Sequence, residues 1–573
     1  MAEKDTKMAC QEPVVMIREV SEGVPKTLDV EKLGRQRPAV FSSTWLEVAF
    51  VVSMIGSMAM ADFIISGFQV VLPALIEPFD IPPESQTWPA SALTLVAGAF
   101  LFPLGRLTDM YGGYLMFNGG LIWVIIWTTA AGFTNNFTML VICRAMEGLG
   151  AAAFLPAGIS LLGRIYRPGP RKNLVFSLYG AAAPMGFFSG IIIGGMSQDL
   201  LSWRWYFWLG SIIIGAFCVG SLLTCPRDYA EARKMNVRMD WWGVCTTVPG
   251  LMLFVYAITE STNAPQGWAT PQIIVTLSLG VLFLGAAVYV EGWVAAAPLI
   301  PADIFRTKYM KRMLFCLLLS WGVFSLYLFY TNFYIQQILG KPALLTAVWF
   351  APWAAAGLVL SIMSGLILHI LPGRVLLIVS GVSKVLAVLF FAVMPDNPNY
   401  WAWVFPAMLA EAACVDVLWT VSNVFLTTSL PRHRQGLAGA LINVTLFLGG
   451  AFFLAVADVA RSQFQGAGMS LKMQYKGVYW IGVGVAAVAL LTCCFIRLDK
   501  AGCALTVDEK QVVEFQTEHA TETKSTRGRV SDATVVESDS ETVVGVETEN
   551  EKDPDPVVVV VPAEQNRNQD QTW

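Results

Sequence analysis

The sequence predicts an all-α protein that crosses a membrane many times. Of its 573 residues, 55% are hydrophobic and only 14% are charged, whereas about 25% of the residues of an average soluble protein are charged. Apolar runs that are long enough to cross a bilayer recur along most of the chain. Basic residues concentrate in every second loop between these runs. Together these observations indicate a polytopic membrane protein and exclude a soluble globular one.

The apolar runs define fourteen predicted spans. Each run has about 20 mostly apolar residues, the length that crosses the hydrocarbon core as a helix. Short polar or glycine-containing stretches separate the runs. The predicted spans are 46–74, 86–104, 114–132, 138–162, 174–195, 203–223, 241–259, 271–294, 312–338, 344–370, 374–394, 401–428, 435–458 and 475–496.

The distribution of basic residues predicts the orientation. Loops after even-numbered spans carry most of the bases, and the loop after span 4 has Arg164, Arg167, Arg171 and Lys172. Because basic loops stay on the cytosolic side, we expect both termini to be cytosolic. An even number of spans agrees with this. Three bases near the end of span 13 do not fit the rule, namely Arg461, Lys472 and Lys476.

Polar segments precede and follow the spans. Residues 1–44 lack the basic and then apolar stretch of a cleavable signal peptide, so we expect the first span to act as the insertion signal. Residues 499–573 are acidic and rich in Thr, Val and Glu. Both segments are predicted to be disordered cytosolic tails, since neither contains enough apolar surface to fold.

A glycine-rich turn is predicted between spans 2 and 3, at Leu104–Gly113. Gly105 and Gly112 allow positive φ values and a close approach of the two helix ends. The turn also holds Arg106 and Asp109. We place Asp109 at the start of span 3, where an acid stabilises a helix N-terminus or pairs with a neighbouring cation. An ordinary glycine-rich turn is the alternative interpretation.

Spans 4 and 5 carry residues that are unusual in apolar helices. Arg144 and Glu147 lie within span 4. Such charges face the bundle interior; they either pair with each other at i, i+3 or Arg144 is a fixed cation that lines a cavity. In span 5, small residues and a proline suit close packing and a bend, with packing alone as the alternative. These residues are Gly180, Pro184, Gly186, Gly190 and Gly194.

Four more ionisable residues lie deep in the spans, namely Asp62, Lys384, Glu411 and Asp416. Lys384 and Glu411 reach a similar depth, about 15 Å along antiparallel helices, so we expect them to meet. Intramembrane charges are usually functional. The hypothesis is that one acid releases its partner when it is protonated. A static pair that only fixes helix packing is the alternative.

Several of these motifs resemble those of a known family. Gly105-x-Leu107-x-Asp109-x-x-Gly112 resembles the signature loop between spans 2 and 3 of the major facilitator superfamily. The run from Arg144 to Gly150 is similar to its second signature, with Glu147 at a position where the family usually has Gln.

Other motifs resemble one branch of that family. Span 5 resembles the antiporter signature, although Ala183 stands where a glycine normally precedes the proline. The aromatic start of span 6 and Phe333–Gly340 at the end of span 9 agree with it. The chain looks like a fourteen-span drug:proton antiporter of the fungal group related to aminotriazole-resistance pumps and secondary-metabolite exporters.

The resemblance implies a fold and a set of domains. Two six-helix bundles would enclose a central cavity near the bilayer midplane and rock against each other. The implied bundles are residues 45–223 and 301–498, and residues 224–300 contribute two additional spans and linkers.

The resemblance also implies a function. The expected function is proton-coupled export of a small amphipathic drug, toxin or secondary metabolite, with proton-coupled uptake of a nutrient or siderophore as the alternative. The expected partners are that substrate, protons and the bilayer, without nucleic acid. The proton gradient is the expected energy source, without a cofactor. We expect a monomer in the plasma membrane, with a vacuolar or vesicle membrane as the alternative.

Roles for individual residues follow from the same resemblance. The turn with Gly105, Arg106, Asp109 and Gly112 is the expected conformational switch. Proton coupling and the cavity are assigned to Asp62, Arg144, Glu147, Lys384, Glu411 and Asp416. The glycine- and proline-containing helix of span 5 is the expected antiporter-type helix. Gln336 and Gln337 are expected to line the substrate cavity.

Other classes of protein fit the sequence less well. The three histidines lie at span ends or in the tail, and the spans contain no nucleophile motif of a membrane enzyme. No P-loop is present, which argues against an ATP-driven pump. The ten cysteines form neither a disulfide framework nor a metal-type pattern. A channel is disfavoured because no filter-like re-entrant segment is visible.

Overall fold

The computed structural model describes residues 36–166, 170–228, 238–264, 266–295, 298–367, 371–429 and 435–498. Within these ranges the secondary structure is helical, and no strand occurs there. The predicted tail 499–573 and residues 1–35 of the predicted N-terminal tail lie outside the described ranges.

Fourteen helices in the described part of the chain are long and apolar enough to cross a membrane, which confirms the predicted number of spans. A helix of 20 residues is about 30 Å long. The helices are α1 (Thr44–Val71), α2 (Trp88–Tyr111), α3 (Gly113–Gly132), α4 (Phe137–Ile165), α5 (Pro170–Met196), α6 (Trp203–Thr224), α7 (Trp241–Glu260), α8 (Pro271–Tyr289), α9 (Met310–Phe333), α10 (two pieces, Ala343–Trp349 and Ala351–Ile367), α11 (Gly373–Ala392), α12 (Phe405–Ser429), α13 (Gln435–Gly466) and α14 (Leu471–Cys494).

Polar side chains cap the starts of several helices, because the first N–H groups of a helix have no partner within it. The Ser43 hydroxyl accepts a hydrogen bond from Leu46 N at 3.2 Å, at the start of α1. The Asn136 amide oxygen does the same for α4, 2.8 Å from Met139 N. These polar residues therefore mark helix starts within a largely apolar sequence.

The helices pack in two sets with the same pattern. In the first set, α1 packs on α5 and α6, α2 packs on α4, and α3 packs on α4 and α6. In the second set, α9 packs on α13 and α14, α10 packs on α12, and α11 packs on α12 and α14. The two sets meet where α2 contacts α13 and where α5 contacts α10. This is the expected pair of six-helix bundles, although the proposed limits 45–223 and 301–498 remain predictions.

Helices α7 and α8 form an additional pair. They pack on each other, and α7 also contacts α2 of the first bundle and α13 of the second. Trp88 of α2 donates its indole N–H to a Glu260 carboxylate oxygen at 3.2 Å. The rings of Phe254 and Phe452 stack with centroids 6.3 Å apart. The pair is therefore attached to both bundles on one flank of the molecule.

The predicted turn at Leu104–Gly113 is wrong in extent. Helix α2 continues to Tyr111, and α3 begins at Gly113. Only Gly112 between them leaves the helix, with a φ of 99° that favours glycine. Residues 104–111 contain no proline, so each of them keeps a backbone N–H group that can donate the next hydrogen bond of the helix. Asp109 consequently lies at the end of α2 and not at the start of span 3.

Close packing of α5 on α1 explains the glycine stripe of span 5. A side chain at Gly186 would overlap the backbone of Ala59, and one at Gly190 would come within 2.6 Å of the Phe63 carbonyl oxygen. The Ser66 hydroxyl donates to the Phe187 carbonyl oxygen at 2.7 Å across the same interface. Small residues let two helix backbones approach this closely in a membrane.

Gly186→Ala is expected to destabilise the protein by about 1–3 kcal/mol, because the added methyl group forces α5 away from α1. The matched control is Gly163→Ala in α4, where an added Cβ would meet no atom within 4 Å. The measurement is the thermal unfolding midpoint of both purified variants in the same detergent. Equal midpoints for the two variants would contradict the packing argument.

Candidate functional site

A central cavity lies between the two bundles. Its lining comes from α1, α2, α4 and α5 of the first bundle and from α9, α10, α12 and α13 of the second. These are corresponding helices of the two sets. The lining is mostly apolar and aromatic, with a few polar side chains, as is typical of sites for organic molecules. The polar lining residues are Asp62, Thr94, Ser325, Asp416 and Asn443.

Two of the predicted site acids line this cavity. Asp62 of α1 and Asp416 of α12 both line it, one from each bundle. Oδ2 of Asp62 is buried and has no hydrogen-bond partner among the described residues. Asp416 is 8% exposed. The cavity lining that the structure describes includes no Lys or Arg. Two acids therefore share this space without a basic residue in the lining.

The residues that were predicted to form an antiporter-type helix are divided between two surfaces of α5. Gly180 and Pro184 line the cavity. Gly186, Gly190 and Gly194 instead face the backbone of α1. One face of α5 thus contributes to the cavity wall while another fixes the helix on α1.

Lys384 and Glu411 form the expected contact but lie outside the cavity lining. Lys384 Nζ is 2.6 Å from Glu411 Oε1, and the two side chains are 2% and 0% exposed. Both residues belong to the second bundle, in α11 and α12. The Lys384 ammonium also lies 5.8 Å from the centre of the Phe324 ring. The pair joins two helices of one bundle.

Arg144 and Glu147 pair with each other and also lie outside the cavity lining. Arg144 Nη1 is 2.5 Å from Glu147 Oε2, and both side chains are almost fully buried. The remaining Arg144 donors reach the carbonyl oxygens of Ile64 at 3.1 Å and Pro89 at 3.3 Å. The guanidinium carbon lies 4.0 Å above the Phe68 ring. Arg144 therefore links α4 to α1 and α2, and is not a cation exposed in the cavity.

Gln336 and Gln337 do not line the described cavity. We call the membrane side on which α1 ends the far side, opposite the predicted cytosolic side. There Gln336 Nε2 donates to the Val70 carbonyl oxygen at 3.0 Å, which joins α1 to the residues that follow α9. Gln337 Oε1 accepts a hydrogen bond from the Tyr475 hydroxyl at 2.6 Å. Both side chains thus hold helices together on the far side.

A second group of far-side contacts was not predicted from the sequence. Arg461 of α13 is 4% exposed, and its Nη1 donates to Pro83 O and to Gln86 Oε1, both at 2.9 Å. One turn earlier, Asp458 accepts a hydrogen bond from the Thr87 hydroxyl. These contacts join the two bundles. They also explain one of the three exceptions to the loop rule, because Arg461 is a buried helix residue and not a loop residue.

Arg164 organises the ends of α2, α3 and α4 on the predicted cytosolic side. Its guanidinium lies 3.2 Å from Asp109 Oδ1 and 3.3 Å from Asp228 Oδ2. Asp228 also accepts hydrogen bonds from the backbone N–H groups of Gly113 at 2.8 Å and Tyr114 at 3.1 Å. Asp228, and not Asp109, is therefore the acid that caps α3.

Arg106, which was predicted to belong to the same switch, makes a separate contact. It donates to the Arg238 carbonyl oxygen at 3.1 Å.

Another ion pair joins α1 and α5 on the same side. Glu47 lies 2.5 Å from Arg171 Nη2 and accepts a hydrogen bond from the Tyr166 hydroxyl at 3.1 Å. Burial and the neighbouring Glu47 carboxylate raise the pKa of Tyr166 above its ordinary value. Tyr166 therefore remains a neutral donor to Glu47 at physiological pH.

Asp109→Asn is expected to leave folding almost unchanged and to reduce transport to background. Its side chain is 44% exposed, and ion pairs at such exposure contribute about 0–1 kcal/mol to stability. The substitution nevertheless removes the carboxylate charge of Asp109. Through this charge, Arg164 links α2 to Asp228 in the segment after α6. Asp396→Asn is the control, since Asp396 pairs with Lys472 on the far side. Normal transport by Asp109→Asn would contradict a switch role for this position.

Comparisons with known proteins agree with this architecture. The Major Facilitator Superfamily model matches residues 53–454. The "Efflux pump terJ" of Aspergillus terreus is 30% identical over 476 residues, which cover 82% of this chain and 90% of the relative. The "Low affinity ammonium transporter" of Saccharomyces cerevisiae is 30% identical over 437 residues, 75% of this chain and 83% of that protein. The "Aminotriazole resistance protein" of the same yeast is 27% identical over 462 residues, 80% of this chain and 85% of that protein.

A solved structure supports the fold. A mutant of the peptide transporter POT in complex with sulfate superimposes with a TM-score of 0.56 at 13% identity, covering 81% of this chain and 98% of that one. At this identity the likeness supports the fold alone. The family match and the two-bundle architecture lead to the same conclusion: the chain is a membrane transporter that belongs to the Major Facilitator Superfamily.

Proposed function

We propose that the protein exports a small amphipathic organic compound, driven by the proton gradient. The observation that carries the proposal is the central cavity, in which apolar and aromatic walls from both bundles surround Asp62 and Asp416. Apolar walls suit the hydrophobic part of such a compound. Two acids in one cavity allow a division of roles, in which one orients the compound and the other exchanges protons.

Contacts between the bundles support alternating access as the mechanism of the proposed export. On the far side, Asn332 donates to the Gln69 carbonyl oxygen, and Leu344 N donates to Asp199 Oδ2 at 2.8 Å. With the contacts of Arg461 and Gln336, these hydrogen bonds hold the two bundles together there. In the proposed cycle they break when the cavity opens to the far side, and the ion pairs around Arg164 rearrange. The bundles then rock about the cavity.

Proton coupling is assigned to the cavity acids. A charge that is buried without a partner costs free energy, and binding of a proton or a cation removes that cost. Asp62 and Asp416 are placed to exchange a proton for the substrate as the cavity changes sides. Arg144–Glu147 and Lys384–Glu411 are neutralised internally, so we assign them to helix packing in the cycle.

Export is favoured over uptake because one relative is named an efflux pump and because α5 resembles antiporter helices. Uptake is the alternative, since another relative of equal identity is named an ammonium transporter. We place the protein in the plasma membrane as a monomer with both termini in the cytosol. The proton gradient is its proposed energy source, without a cofactor.

Accumulation of radiolabelled 3-aminotriazole in a pump-deficient yeast, with and without the gene, tests the proposal. Export predicts lower accumulation in cells that express the protein, and a protonophore should remove the difference. Cells that express Asp62→Asn at the same level in the membrane are the matched control. Higher accumulation with the gene would support uptake instead. If the gene has no effect, the same comparison is run on growth across a panel of toxic compounds.

A further inference from the structure

The aromatic rings of the central cavity are distributed unequally between the bundles. The second bundle contributes Trp321, Phe324, Trp353, Trp419 and Phe447, whereas Phe187 is the aromatic lining residue of the first bundle in the described part of the chain. Even that ring packs on the second bundle, with its centre 5.0 Å from the Trp353 ring. The cavity therefore has an aromatic half and an aliphatic half.

The rings of the aromatic half form a connected cluster. Trp321 meets Trp419 edge to face with centroids 5.9 Å apart, and it meets Phe324 in the same way at 5.6 Å. Phe324 in turn contacts Trp353 at 5.9 Å. Each ring is fixed by its neighbours, so ring faces and edges are held in place around the cavity.

Asp416 belongs to this aromatic half. It lies one helical turn before Trp419 on α12, and its carboxylate occupies the space left by Gly357, where an added Cβ would lie 3.0 Å from Oδ2. Gly357 is one turn after Trp353 on α10. The carboxylate thus lies between the helical turns that carry Trp353 and Trp419, and residue Asp416 as a whole is 8% exposed. A buried acid beside tryptophan rings is a favourable environment for an organic cation.

Asp62 has different surroundings. The lining residues near it on α1 are Met58, Ala61 and Ile65, and α5 adds Ala183 and Pro184. These lining side chains offer no π face to a cation, and Tyr179, which lies near enough to Asp62 to interact with its charge, does not line the cavity. The two acids of the cavity are therefore chemically distinct, although both are carboxylates.

We propose that the cavity binds a monovalent organic cation, with Asp416 as its counter-charge and Trp321, Trp353 and Trp419 as the aromatic surface around it. This inference rests on the proposed function only in placing the substrate in the central cavity. Asp62 is not the counter-charge of the substrate and remains available to a proton. A ring-bearing quaternary or protonated amine combines the positive charge and the apolar body that this half of the cavity accommodates.

Two ligands of the same shape test the charge preference. Trimethylphenylammonium is a permanent cation, and tert-butylbenzene is its neutral isostere. Binding of each to the purified full-length protein in a non-ionic detergent is measured by titration calorimetry, with empty micelles subtracted. The wild-type protein is expected to bind the cation about tenfold or more tightly than the neutral ligand. Equal affinities, or no binding of the cation, would overturn the inference.

Three variants locate the site. Asp416→Asn is expected to weaken binding of the cation about tenfold or more while leaving binding of tert-butylbenzene within about twofold. Trp419→Leu is expected to weaken binding of the cation by about threefold to thirtyfold, and it probes the same site without changing the acid. Asp62→Asn should keep the cation affinity within about threefold of wild type. If Asp62→Asn weakens cation binding as much as Asp416→Asn does, the assignment to Asp416 is wrong.

The experiment separates this inference from the proposed function. Cation binding by a protein that shows no proton-driven export in liposomes would support the substrate class and contradict the direction or the coupling. Proton-driven export of a neutral compound by a protein that does not bind trimethylphenylammonium would contradict the substrate class alone.

Discussion

Replacing Arg144 by methionine is expected to abolish transport and to lower the free energy of unfolding by about 3–5 kcal/mol. The substitution leaves the Glu147 carboxylate, whose side chain is 0% exposed, without its cation. It also removes the donors to the carbonyl oxygens of Ile64 and Pro89. The loss is therefore larger than that of one ion pair, because α1 and α2 lose a shared anchor on α4.

Arg144→Lys is expected to rescue little of this loss. A lysine ammonium is a compact charge, whereas the planar guanidinium reaches Glu147, Ile64 and Pro89 in different directions at once. The thermal unfolding midpoint of each variant in detergent measures the stability. A midpoint of Arg144→Met equal to that of wild type would show that the anchor is dispensable.

Glu147→Gln is the informative companion. Glutamine keeps an oxygen for Arg144 and matches the residue that the family usually has here. We expect this variant to fold. Full proton-driven transport by it would make Glu147 a structural partner only, whereas loss of transport in a stable variant would support titration of Glu147 during the cycle.

The number of spans could be predicted from the sequence because hydrophobic length decides whether a helix crosses a bilayer. The depth of individual charges was also informative. Lys384 and Glu411 were expected to meet because they lie equally deep in antiparallel neighbours, and their atoms are 2.6 Å apart. Such arguments work when the partners are close in sequence or on adjacent spans.

Contacts between distant segments could not be predicted in this way. Asp228 caps α3 although it lies 115 residues from Gly113 in the sequence. Asp109, which was expected at the start of span 3, lies in α2 because that helix extends to Tyr111. Arg461 contradicted the loop rule until its partners at Pro83 and Gln86, in the other bundle, were known. The rings around Asp416 belong to three helices, α9, α10 and α12. Tryptophan is also enriched at the lipid interface, so its presence in a span does not identify a cavity. Gln336 and Gln337 were assigned to the cavity by family pattern alone.

The charge-swapped double variant Lys384→Glu with Glu411→Lys is expected to fold and to keep proton-driven transport. Either single substitution, Lys384→Met or Glu411→Leu, should lower the free energy of unfolding by about 3–5 kcal/mol, because each leaves a fully buried charge unpaired. The double variant Lys384→Met with Glu411→Leu is the matched control. Replacing both partners by apolar residues of similar size removes the unpaired charge, so its stability should stay near that of wild type.

The geometry favours a static pair over proton coupling at this position. Both residues lie in one bundle, and neither lines the central cavity in the described part of the chain. Rocking of the two bundles therefore does not need to break their contact. The swap places the acid near the Phe324 ring, where the Lys384 ammonium now lies 5.8 Å from the ring centre, so we expect a small loss of stability of about 0.5–1 kcal/mol.

Transport at several external pH values, in liposomes with a fixed internal pH, decides between the two interpretations. A static pair predicts that the swapped variant keeps the pH dependence of the wild type, because reversing the two charges preserves their attraction. A coupling pair predicts a folded variant whose transport no longer responds to the proton gradient, since the acid would then lie on α11 in place of α12. That second result, in a variant with a wild-type unfolding midpoint, would return Lys384 and Glu411 to the proton pathway and leave Asp62 and Asp416 with the substrate.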